Sequence, residues 1–240
     1  MKIPTLRALH KWTGLIVGVQ LLLWTVSGLV FALLDHDRVA GAELAAAPAA
    51  ATLGADEPLV EPAAVLAGYG EDAVRELGLR RLGGRWVYRV AYEGGVELRD
   101  ARDGSAFAVD QALARGLALS HYRGDGRLSH IRYHAAPTLE TRGAGASWQA
   151  EFDDPQSTSL YFSAQDGALI AARGDSWRLF DVFWMLHTMD YAGRDDFNNP
   201  VVILVAFVAL WIGLTGTLLL IRVFWRRPAA MPLSEQGRQS

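Results

Sequence analysis

Apolar and polar positions divide the chain into two long apolar runs with a patterned middle between them. The first run, Trp12 to Leu34, carries no charge between Leu15 and Leu34, where Gln20, Thr25 and Ser27 are its polar side chains. The second, Val201 to Ile221, has no charged residue. Each is long enough for a helix to cross a bilayer, which takes roughly 20 apolar residues. A cleaved leader is the alternative for the first run. It exceeds the roughly 7 to 15 apolar residues of a leader and ends in Asp35-His36-Asp37 with no small-residue cleavage site beside it, so a retained anchor is expected.

Between the runs the period changes. Residues 35–60 are rich in Ala, Pro and Gly from Val39 onward and read as a linker. Glu61 to Gly68 predicts a short helix, and Leu77 to Phe107 turns to strand patterning. There Trp86, Tyr88, Val90 and Tyr92 fall on one face, and Glu93-Gly94-Gly95 makes a hairpin turn. The unit returns: a helix over Val109 to Ala118, a strand from Trp148, a turn at Asp154-Pro155-Gln156 and a strand over Ser159 to Ala164. Asp103-Gly104 closes the first copy and Asp166-Gly167 the second. Each copy reads as a helix covering the apolar face of an antiparallel sheet. Trp177 to Tyr191 then places Trp177, Phe180, Phe183, Trp184, His187 and Tyr191 at helical spacing, an amphipathic aromatic helix expected at a membrane interface. Asn199-Pro200 is a cap and first-turn pair that starts the last helix.

Charge orients these elements. The formal charge of −3 conceals a net of +3 in residues 1–34, −9 in residues 35–221 and +3 in residues 222–240. By the positive-inside rule both ends are cytoplasmic and the middle is exported. With no cysteine, disulfides, thiolate metal sites and thioether-linked haem are excluded. No phosphate loop, dinucleotide fingerprint or nucleophile elbow is present, and the acidic middle argues against a nucleic-acid partner.

The histidines remain. A neutral imidazole is a standard axial ligand of b-type haem. His10 leads into the first run and continues through Gly14, Gly18, Thr25 and Gly28, a stripe that leaves room for a flat macrocycle or for a small-residue helix packing seam. His187 lies on the aromatic face, as a haem ligand or as an interfacial side chain bonded to water, Asp181 or Asp190. His10 and His36 are separated by roughly 39 Å on one helix, so His10 and His187 cannot share a haem within one two-span chain. His36 with His187, or each of the two with a ligand from another subunit, are the arrangements left, and His10, expected to have no inner-side partner in its own chain, is a haem ligand through a symmetric dimer or larger partner, or else an interfacial or snorkelling side chain. His130 and His134 lie on a predicted strand, roughly 13 Å apart and too far for one metal ion. His121 is expected to end a helix, and Asp190 to Asp196 to be solvated outer charges.

Leu9-His10-Lys11-Trp12-Thr13-Gly14, the tandem hairpins ending in Asp-Gly, and Trp184-Met185-Leu186-His187-Thr188-Met189-Asp190-Tyr191 resemble the PepSY-associated transmembrane family. The resemblance runs from the first residues to about Arg227. It implies a bacterial inner-membrane α+β protein, two transmembrane helices flanking a periplasmic domain of tandem PepSY-like helix plus antiparallel-sheet units. The expected division is a cytoplasmic N-terminus at 1–11, spans at 12–34 and 200–222, a linker at 35–60, units at 61–107 and 108–175, the aromatic helix and loop at 176–199, and a tail at 223–240. Larger relatives with four or so spans are implicated in ferric-siderophore reduction with haem b in their helices. The expectation is therefore an electron-transfer component, with His187, His10 and His36 as cofactor-binding candidates. It would work with the bilayer, a homodimer or partner membrane subunit, and a ferric siderophore. The alternative is a non-enzymatic anchor or regulator whose PepSY domain binds a peptide, peptidase or envelope partner.

Overall fold

The computed structural model describes residues 3–46, 52–54, 56–70 and 73–225. Part of the Ala-rich linker and the basic tail from Arg226 lie outside the described residues.

Helix α1 runs Ile3–Leu33, starting well before the apolar run itself. Its less exposed side chains, His10, Thr13, Val17, Gln20, Trp24, Ser27 and Phe31, alternate at steps of three and four. That spacing keeps one stripe of a helix facing a neighbour. The neighbours are α6, Pro200–Phe224, and α5, Asp175–Thr188, which lie against successive lengths of α1. Asn199 caps α6 by accepting from the Val201 and Val202 amides at 3.1 Å, with Pro200 in the first turn. The Asn199 amide also donates to the Thr188 carbonyl at 2.8 Å and so ties the start of α6 to the end of α5. α1 and α6 are both long and apolar enough to span a membrane. α5 turns Phe180, Trp184 and His187 of its aromatic face onto Phe31 of α1.

Two four-stranded antiparallel meanders form the middle of the chain. The first contains β1 Val74–Leu82, β2 Arg85–Tyr92, β3 Gly95–Asp100 and β4 Ala106–Phe107; a short helix, Pro62–Leu66, precedes it. The second contains β5 Arg127–His134, β6 Ser147–Asp153, β7 Ser159–Ser163 and β8 Leu169–Arg173, preceded by a helix over Gln111–His121. Strand β2 is buried on both faces. Tyr88 and Val90 pack with Val65 and Ala101, while Val87 joins Leu98, Leu117, Phe152, Leu160 and Phe162 in a core shared by both sheets. Asp166, in the β7–β8 turn, fastens the sheets together by accepting from Arg89 Nε at 3.1 Å.

The segment expected to be a linker is packed at both ends. Leu44 enters the shared core, the Ala46 amide bonds His121 O at 2.8 Å, and the Val60 amide bonds Ala101 O at 2.8 Å. A short helix, His36–Ala40, follows α1 directly and closes on Gly41. Gly41 has φ +78, and a Cβ there would lie 2.4 Å from the Ala172 carbonyl of β8, so only glycine allows both the turn and the approach. The membrane helix is thereby joined to the second sheet with little slack.

Candidate functional site

His187 sits in the last turn of α5, half-buried, with Nδ1 2.7 Å from the hydroxyl of Ser27, a fully buried residue of α1. That hydroxyl is also 2.7 Å from the Leu23 carbonyl, one turn back. With the serine proton donated to the Leu23 carbonyl, the serine oxygen is the acceptor that a His187 ring protonated at Nδ1 requires, and that tautomer leaves Nε2 as the ring's acceptor. Around the ring stand Trp24, with centroids 6.2 Å apart, and Phe31, edge-on at 5.4 Å. Trp24 Nε1 donates to the His187 carbonyl at 2.7 Å and Gln20 Nε2 to the Leu186 carbonyl at 3.2 Å, which satisfies carbonyls that a helix end leaves open.

His10 repeats the arrangement near the other end of α1. Its Nδ1 is 2.8 Å from the hydroxyl of buried Thr215 on α6, which donates to the Trp211 carbonyl at 2.8 Å. Again the hydroxyl oxygen suits a ring protonated at Nδ1, the tautomer that leaves Nε2 as the acceptor. The ring lies over Gly216, where a Cβ would come within 3.2 Å of it. His10 thus has an intrachain partner, a hydroxyl rather than a second imidazole. Gly14, Gly18 and Gly28 have nothing within 4 Å of where a Cβ would stand, so the expected glycine seam is not the surface that meets α6.

His36 opens the short helix after α1 and is exposed, on the rim of a groove also lined by Phe31. Phe31 stands beside both His36 and His187, and no hydrogen bond or ring contact joins the two histidines. His10 and Ser27 are 17 residues apart on α1. The two histidine environments are therefore separated by about 26 Å along the helix. No group of three or more His, Cys, Asp or Glu side chains suited to a metal occurs among the described residues. His130 and His134 lie on β5, with His134 Nε2 paired to Gln149 Oε1 at 2.8 Å and His130 turned to Glu151. His121 ends its helix and bonds the Leu117 carbonyl at 2.8 Å.

Sequence patterning missed the charged cluster that holds α5. Asp181, with its side chain 5% exposed, accepts from Arg142 of the β5–β6 loop and from Arg194 of the loop after α5. Arg142 and Arg173 stack on Trp177, at 5.5 and 4.4 Å from the ring centroid. Asp181 is thus engaged by guanidinium groups, not by His187. Its signal was absent because Arg142, Asp181 and Arg194 are far apart in sequence. Asp190 organises its own loop: bonds from the amides of Asp196, Gly193, Ala192 and Asp195 hold its carboxyl below the usual range.

The PepSY-associated TM region, as a family model, matches residues 7–240. The chain belongs to that family. This membership marks it as a membrane protein, and α1 and α6 are the helices long and apolar enough to cross a membrane among the described residues. No curated protein and no solved structure matches the chain.

Proposed function

We propose that this PepSY-associated protein is a membrane-bound electron-transfer component that holds haem b through His187 and His10. The observation that carries this reading is the shared geometry. At each site a buried hydroxyl, itself bonded to a helix carbonyl, lies at Nδ1 of the imidazole, an arrangement that suits a ring protonated at Nδ1 with Nε2 as the ligating nitrogen. Ligating histidines have this form, with the other ring nitrogen donating to a neighbour that fixes ring orientation. Each end of α1 would offer the group one imidazole nitrogen, from His10 or from His187. A second copy of the chain would supply a further imidazole at each site, and the uncovered Gly14 and Gly18 surfaces offer room for its close approach.

When bound, haem supplies one-electron chemistry. The chain's own residues orient the ligands: Ser27 and Thr215 set the rings, Trp24 and Gln20 fix the end of α5, and Trp24 and Phe31 stand against the His187 ring. With both termini cytoplasmic, as charge asymmetry supports, His10 stands on the inner side and His187 on the outer, periplasmic side of a bacterial inner membrane. Electrons would then leave near the tandem PepSY-like units, toward a ferric siderophore or another iron chelate. The test is haem retained per chain after purification from haem-replete cells. Loss in His187→Ala and in His10→Ala, with His130→Ala unchanged, is expected; equal retention in all variants overturns the assignment.

A second reading, a membrane-anchored binding module for a peptide or peptidase, has its own support. Both histidines already tie helices together, and Asp181 with its arginines fixes the middle domain to the helices, as an anchor requires.

A further inference from the structure

Where α1 ends, a groove of about 250 Å³ opens between it, the short helix His36–Ala40 and the start of α5. Phe31, Leu34, Val39, Trp177 and Phe180 give it apolar walls, and Arg173 is its cation. Arg173 donates from Nε to the Glu140 backbone carbonyl at 2.9 Å and lies 4.4 Å over the Trp177 ring. No carboxylate among the described residues forms an ion pair with it, because the nearby acids are taken. Glu140 accepts from Arg178 at 2.9 Å and from the Tyr161 hydroxyl at 2.8 Å, and Asp181 is held by Arg142 and Arg194. Asp175 pairs with Arg178 at 3.3 Å, and Asp35 caps the short helix at the Arg38 amide. Burial, then the neighbouring Arg142, push the Arg173 guanidinium below the usual arginine range and outweigh the opposite pull of Glu140 and Asp181. A half-buried guanidinium with no carboxylate in direct contact gains when an anion meets it.

Depth specifies the anion. The apolar run of α1, Trp12 to Leu34, is 23 residues. At 1.5 Å per residue it spans about 35 Å, slightly more than the roughly 30 Å hydrocarbon core of a bilayer. The groove at its end therefore sits at the border of the headgroup layer.

We infer that this groove is a phospholipid site, in which Arg173 binds the headgroup phosphate and Phe31, Trp177 and Phe180 hold the upper part of one acyl chain. A guanidinium can present paired N–H donors to phosphate oxygens, and His36 at the rim offers another donor. The occupant touches Phe31, which also packs on His187, so a lipid here would brace the outer histidine site. The inference needs the membrane setting but not haem.

The experiment uses the full chain in nanodiscs of phosphatidylcholine doped with dioleoyl-phosphatidylglycerol, followed by native mass spectrometry in mild detergent to count retained lipid. Wild type should retain phosphatidylglycerol, and Arg173→Gln should weaken retention roughly tenfold, the effect of losing one charge-assisted bond. Arg173→Lys should retain most of it, and Ala40→Trp, which fills the groove from an exposed position, should lose it even if Arg173→Gln fails to fold. Equal retention in wild type and Ala40→Trp overturns the site. So does displacement of the lipid by inorganic phosphate alone, which would assign a free anion in its place.

Discussion

Ser27 and Thr215 decide what His187 and His10 can do. Each is a buried hydroxyl in an apolar helix, bonded both to a carbonyl of its own backbone and to an imidazole Nδ1. Ser27→Ala and Thr215→Val should each cost about 0.6 to 1.7 kcal/mol, the range of interhelical hydrogen bonds in membrane proteins. Thermal unfolding in detergent, followed by circular dichroism, checks this; an unchanged midpoint in both variants would remove the hydroxyls from the account. The histidines were legible in the sequence because imidazole is an unusual choice beside an apolar run. Their partners were not, since one hydroxyl in such a helix carries no periodic signal. The expectation that Asp181 or Asp190 would meet His187 failed for a related reason: Asp181 is claimed by arginines that only the folded chain brings near.

At the scale of elements, α5 is the joint between membrane and domain, and Asp181 is its fastening. Removing one member of a buried charge group strands the others, so Asp181→Ala should destabilise by about 3 to 5 kcal/mol, read from the same thermal unfolding. A cost under about 1 kcal/mol, the range of exposed ion pairs, would mean the cluster is in effect solvated. Acid acts on other joints. Burial raises the carboxyl of Asp166, but bonds from Ser163 and Arg89 outweigh it and hold the group below the usual range; at Asp154, bonds from the Tyr122 hydroxyl and the Thr158 and Gln156 amides likewise outweigh burial. Tyr122 responds in kind, pushed up to about 12 by burial and the Asp154 carboxylate. A carboxyl depressed in the folded state adds stability above its unfolded value of about 3.9 and loses it as pH falls toward the folded one. The unfolding midpoint should hold from pH 7 to about 5 and fall below about pH 4. Asp154→Asn and Asp166→Asn should flatten that fall. Strands and hairpins were readable from alternation and Asp-Gly turns. The double burial of β2 was not, because a period of two marks which residues share a face and not what covers the second face.

For the whole molecule, the chain's ends explain its middle. The two apolar helices were evident from length alone, and the family match places them in a membrane. What composition hid was the tightness of the connection: the Ala- and Pro-rich stretch read as slack but delivers Leu44 to the core and Gly41 to the Ala172 carbonyl. Charge asymmetry predicts that a cysteine introduced at exposed Arg102 is labelled by an impermeant maleimide in intact cells with a permeabilised outer membrane, whereas one at exposed Arg7 is not. The reverse pattern would invert the topology and with it the direction of electron flow. The central claim, that the fixed imidazoles are haem ligands, is tested most directly by the reduced-minus-oxidised absorption spectrum of the wild-type chain purified in mild detergent from haem-replete cells. The account predicts a b-type spectrum with a sharp, low-spin α-band; a spectrum with no Soret absorption from fully folded protein would contradict it.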